Sequence, residues 1–175
     1  MNSENIQLPQ FLIADLYKHS LVIVNGEAKP EKSAPQQVKA TPERQWYLGS
    51  NLQKITLITS EKEAVYLEET SLQFLTSILG ACKLNLGDVA IVNYHNEPVE
   101  YAFLKEKLSP AFLILFGITA KQIKIPFTVP DYQVQKHDNC HFLLTPPLEK
   151  MLGNSQEAKL EKSKLWLCLK KMFAI

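Results

Sequence analysis

The sequence predicts an α/β fold: a three-layer αβα domain with a largely parallel central sheet. Three observations lead there. Short apolar runs alternate with stretches whose apolar residues recur at helical spacing, the pattern of helices layered on a sheet. The run DVAIVN (88–93) is apolar on both faces, as in a strand buried inside a parallel sheet. The run AFLILFG (111–117) is the most apolar of the set and is expected at the sheet centre.

Taken in order from Trp46, KITLIT (54–59) reads as a first short strand. EETSLQFLTSILGAC (68–82) sets Leu72, Leu75, Leu79 and Cys82 on one helical stripe, flanked by Phe74, Ile78 and Ala81. After the strand at 88–93, EPVEYAFLKEKL (97–108) reads as a helix with Pro98 in its first turn, where a missing N–H is tolerated. TAKQ (119–122) suggests a single helical turn capped by Thr119. DYQVQK (131–136) and CHFLLT (140–145) read as two strands, with Asp138-Asn139 as a tight hairpin turn. The last element, residues 156–175, is a helix with Leu165, Leu169 and Met172 on one stripe and Trp166 and Phe173 beside it.

Residues 25–45 are polar, carry Pro30, Pro35 and Pro42, and show neither periodicity. Such a stretch buries too little apolar surface to offset its ordering entropy and is read as a flexible linker. Residues 1–24 are expected to form a docking segment, whose apolar side chains are too few to fold alone. It has two possible berths, its own domain or a partner reached across the linker. The compact α/β domain then spans 46–175.

The 175 residues suit one domain with a real core, and 46% are apolar. The formal net charge of +1 offers no global field toward nucleic acid or an anionic membrane. Three scattered cysteines, Cys82, Cys140 and Cys168, make no disulfide framework and fit a reducing cytoplasm. The first residues lack the pattern of a secretion signal, and no apolar run reaches the ~18 residues that span a bilayer. A soluble cytoplasmic protein is the expectation.

HDNCH (137–141) is the one cluster with zinc-ligand chemistry. With Asp138-Asn139 as the turn, His137 and Cys140 pair across the strands while His141 points to the other face. One ion cannot be held by all three, so no metal is expected. Cys82 and Cys168 fall on apolar helical positions. No Gly-x-Ser-x-Gly elbow and no phosphate-cradling glycine loop is present. The last helix carries five lysines against two glutamates. Its Lys164, Lys170 and Lys171 form either a solvated face or a phosphate-contacting patch.

In order and spacing, these pieces resemble the uracil-DNA glycosylase superfamily, most closely its iron–sulfur type, over roughly residues 52–173. SLQFLTSILGACKLNLGDVAIVNYHNEP is similar to that family's helix, short turn and strand ending in Asn, followed by a polar loop with proline. LSPAFLILFGITAKQ resembles its central strand with the Leu-Gly-x-x-Ala turn. DYQVQKHDNCHFLLTPPLEKML, followed by KLEKSKLWLCLKKMF, resembles its hairpin, its His-Pro-Ser-x-Leu-Leu-Arg loop and its last helix.

The departures carry the functional expectation. Thr145 stands where the family has its catalytic histidine, and a neutral hydroxyl cannot stabilise charge on a departing uracil as an imidazole does. Where the family has a Gly-Glu-Ala-Pro-Gly water-binding loop, this chain reads Ser60-Glu61-Lys62-Glu63-Ala64. The cluster-ligating cysteines have no counterparts, so no cofactor is implied. Asn93 remains at the position that reads the flipped base in the family. The resemblance thus implies a vestigial pocket of Asn93, Thr145, Glu61 and Glu63, with no catalytic residue.

LPQFLIADLYKHSLVIVN and LTPPLEKMLGNSQEAKLEKSKLWLCL are also similar to the leader and C-terminal run of the psi subunits of DNA polymerase III, which have a related fold without glycosylase chemistry. That resemblance implies a protein-binding accessory of DNA replication. Its leader would dock on a clamp-loader subunit through Phe11, Leu12, Leu16 and Tyr17, and its domain would contact a second replication protein. The long linker is a departure from psi. The alternatives are a divergent uracil-DNA glycosylase and a non-catalytic nucleic-acid-binding module.

Overall fold

The computed structural model describes residues 45–175. The expected docking segment, with Phe11, Leu12, Leu16 and Tyr17, lies outside the described residues, as does the expected linker except for Gln45.

The described residues form a mixed α/β fold with one sheet and three α-helices. The strands are β1 (Leu48–Gly49), β2 (Ile55–Thr59), β3 (Val89–Asn93), β4 (Phe112–Phe116), β5 (Gln135–His137) and β6 (Cys140–Thr145). They lie in the order β1-β3-β2-β4-β6-β5. The helices are α1 (Glu69–Ala81), α2 (Tyr101–Leu108) and α3 (Gln156–Phe173).

The inner pairings β3–β2, β2–β4 and β4–β6 are parallel, and the edge pairings β1–β3 and β5–β6 are antiparallel. The sheet is therefore mixed, a correction to the simpler expectation drawn from the alternation of strands and helices. All five residues of β2 and of β3 are buried, which explains their lack of polar alternation. The period of two splits the strand side chains between two cores. Leu57, Ile91, Ile114 and Leu143 pack with Leu75 and Leu79 of α1 and Leu165 and Leu169 of α3. Ile58, Val92, Leu115 and Phe142 pack on the other face with Leu104 and Leu108 of α2 and Ile123. Each such side chain contributes about 1.5–3 kcal/mol.

Most elements lie within a residue or two of the sequence reading. The hairpin forms as expected: Asp138 and Asn139 both take positive φ (51° and 59°), and His137 pairs with Cys140. Three expectations are corrected. Helix α2 starts at Tyr101, with Glu100 extended, so Pro98 lies before the helix. There Val99 is buried and Tyr101 N–H donates to Ile123 O at 2.8 Å, a long-range tie that holds the chain extended. Residues 120–124 form turns, not a capped helical turn; the Gln122 carboxamide oxygen accepts from both Thr119 N–H and Thr119 O–H. The expected strand 131–136 shrinks to Gln135–His137 because Tyr132 adopts φ 59°, which no continuous strand accommodates.

Strand β1 went unread in the sequence. Gly49 explains its position: at φ +105°, a Cβ there would sit 2.1 Å from Val89 O. Only glycine lets this backbone approach β3 so closely.

Candidate functional site

In an open α/β sheet, ligands bind outside the carboxyl ends of the strands, where the direction of winding reverses. Here the chain steps from β2 to β3 on one side and then to β4 on the other, so the reversal lies between β2 and β4. The registers Thr59↔Asn93 and Phe116↔Thr145 bring the strand ends level at that crevice.

The loop after β2 folds over the end of β3 and is clamped by Asn93, which is 1% exposed. Asn93 Oδ1 accepts from Glu61 N–H at 3.0 Å and from His95 N–H at 3.2 Å. Its Nδ2 donates to Glu61 O and Ala64 O, both at 2.8 Å. Asn96 adds bonds to Ala64 O and Val65 O at 2.9 Å. Both ends of the Asn93 amide are thereby committed to main chain.

Glu61 is buried, 7% exposed, and its Oε2 accepts from Glu68 N–H. Glu68 is the N-cap residue of α1 and makes no side-chain capping bond of its own. The Glu61 carboxylate therefore caps α1 from the preceding loop, with its charge near the positive end of the helix dipole. Its Oε1 and the Thr59 hydroxyl are buried without a protein partner. Glu63 is exposed and takes no part.

Thr145, 3% exposed, closes the other wall. Its hydroxyl donates to Leu115 O at 3.2 Å, and its carbonyl accepts from Gly117 N–H at 2.8 Å. The following Pro147 presses on the end of β4: Gly117 has φ +68°, and a Cβ there would meet Pro147 Cγ at 2.7 Å. The void bounded by Thr59, Ser60, Glu61, Phe116, Pro147, Leu148 and Glu149 measures about 10 Å³. That is room for about one water, whereas small-molecule pockets run to hundreds of Å³.

Of the four residues expected in a vestigial pocket, Asn93, Glu61 and Thr145 gather at the strand ends and Glu63 does not. Thr59, Phe116, Gly117, Pro147 and Leu148 complete the crevice and were missed. Glycine directly after the apolar β4 run and proline two residues after Thr145 were the available signals. No histidine lines the void. His95 is exposed, and His141 stacks on Phe112 at the opposite end of the strands, 5.2 Å between ring centroids.

Elsewhere, His137 lies exposed with its ring against Phe127, and Cys140 is buried. Among the described residues no group of three or more His, Cys, Asp or Glu is placed to hold a metal ion, and no helix is long and apolar enough to cross a membrane. Of the lysines read as phosphate contacts, Lys164 pairs with Glu161 at 2.8 Å and lies over the Tyr132 ring, and Lys170 lies over Trp166. Lys171 is exposed. A surface concavity of about 490 Å³ beside α3 is lined by Glu149, Glu157 and Glu161 with Lys150 as its one cation, a poor setting for a phosphate backbone.

No protein-family model matches the chain, and no curated protein matches it.

Proposed function

We propose that this chain is a non-catalytic, protein-binding accessory of DNA replication, psi-like in character and built on a degenerate glycosylase-like plan. One observation carries the non-catalytic part of the reading: both ends of the Asn93 amide are spent on main chain, that of the loop around Glu61 and that of His95. A residue that reads a flipped base must offer those groups to the base. The narrow crevice supports the same reading, because the void between Glu61, Phe116 and Pro147 measures about 10 Å³, too little for a uracil. Replication as the setting follows from the resemblance to psi subunits, and cytoplasmic residence follows from that setting. In this reading the leader, with Phe11, Leu12, Leu16 and Tyr17, docks on a clamp-loader subunit.

Two measurements test it. The chain is incubated in stoichiometric amounts with uracil-containing single-stranded DNA; excision that disappears in Asn93→Ala overturns the reading. Pull-down with purified clamp-loader subunits then compares the full chain with one starting at Trp46. Retention by the full chain and loss with the shortened one is the expected result, and equal behaviour of the two defeats leader docking.

A further inference from the structure

We propose that the outer face of α3 is a docking seam for an acidic amphipathic helix of a partner protein. Leu160 and Leu167 are 56% and 65% exposed. They stand seven residues apart, two turns up one ridge, separated by about 10 Å. Between them lie Ser163, exposed, and Lys164. Positions i, i+3, i+4 and i+7 of a helix form the four-sided hole that accepts one apolar knob from a facing helix. Here the hole is walled by two leucines and floored by the small Ser163, so a knob can seat closely.

Charge selects the occupant. Lys159, Lys170 and Lys171 border the ridge, and none of them forms an ion pair among the described residues. Of the two acids on the helix, Glu161 is turned to Lys164 and Tyr132, and the exposed Glu157, three residues before Leu160, leaves the three lysines in excess at the rim. A second copy of the same face would bring lysines against lysines. A nucleic acid has no use for two exposed leucines, and two leucines are too little apolar surface to anchor a helix in a lipid interface. A helix with leucines on one stripe and glutamates beside it satisfies both the hole and its rim.

The inference rests on the scaffold reading, for which it supplies the globular domain's own contact; its test is separate from uracil excision. The full chain is titrated with a ~21-residue helical peptide bearing leucines at heptad a and d positions and glutamates at e and g. A counterpart with lysines at e and g serves as control. The acidic peptide should bind at least about tenfold more tightly than the basic one. The double variant Leu160→Ser/Leu167→Ser should weaken it about tenfold or more, with an unchanged circular dichroism spectrum because both side chains are exposed. Lys159→Glu/Lys171→Glu should reverse the preference between the peptides. Equal binding of the two peptides, binding unaffected by the serine pair, or no binding overturns the proposal. So does leucine-dependent binding to phosphatidylglycerol vesicles or to oligo(dT).

Discussion

The amide of Asn93 is bonded to the main chain of Glu61 in both directions, accepting from its N–H at 3.0 Å and donating to its carbonyl at 2.8 Å. The pair joins the end of β3 to the loop after β2. Asn93→Ala leaves buried peptide groups of that loop unpaired and should cost roughly 2–4 kcal/mol. Asn93→Asp should cost more, because a carboxylate oxygen then faces the carbonyls of Glu61 and Ala64. Urea midpoints at constant m-value measure both, and a loss under about 1 kcal/mol for either variant would contradict the clamp.

Gly117→Ala meets two penalties, a positive φ and a Cβ 2.7 Å from Pro147 Cγ. The expected destabilisation is about 1–3 kcal/mol. Pro147→Ala in the same chain should return part of that loss, since it removes the opposing Cγ. A double-mutant cycle checks this, with a coupling above about 0.5 kcal/mol expected.

Burial pushes the Cys140 thiol up to about 12, and the same cause lifts the Tyr101 hydroxyl to about 12. The folded chain therefore favours the protonated forms. Stability from this source is complete below each unfolded value, about 8.5 for the thiol and about 10 for the hydroxyl, and declines as pH rises past it, by up to ~1.4 kcal/mol per unit for each group. Cys140→Ala should flatten the fall in unfolding free energy between roughly pH 9 and 11. The native thiols of Cys82, Cys140 and Cys168, all buried, should resist a thiol reagent at pH 8 and all react once the chain is unfolded.

The Glu161 carboxyl is held below its ordinary range by hydrogen bonds from Lys164 and then Tyr132. A depressed carboxyl stabilises the fold above its unfolded value of about 4.3, and that contribution is lost as pH falls through the folded value. Glu161→Gln should therefore be less stable than the parent at pH 7, with the difference closing below about pH 4. NMR titration of Glu161 should move to higher pH in Lys164→Met; an unchanged midpoint would refute the assigned cause.

The long elements were legible because their signals are strong and local. β3 and β4 are continuous apolar runs, α1 and α3 carry clear stripes, and Asp138-Asn139 supplies the positive φ of a hairpin. What escaped depends on distant atoms. β1 is two residues long and exists through its pairing with β3. The start of α2 is fixed by Ile123, and the break at Tyr132 coincides with a bond from its N–H to Leu144 O. The site divides the same way. Asn93 and Thr145 could be placed at strand ends from the sequence, but whether their polar atoms were free could not be read. The partners of Asn93 in the loop lie 32 and 29 residues earlier, and the carbonyl that takes the Thr145 hydroxyl lies 30 residues earlier.

The antiparallel borders of the sheet have a consequence for assembly. β1 offers two residues and β5 three, the latter with exposed Lys136 and His137. So short and partly charged a margin gives a foreign segment little backbone to zip onto. Recognition by β-augmentation is disfavoured on both flanks, and whatever associates with this domain must read its side chains.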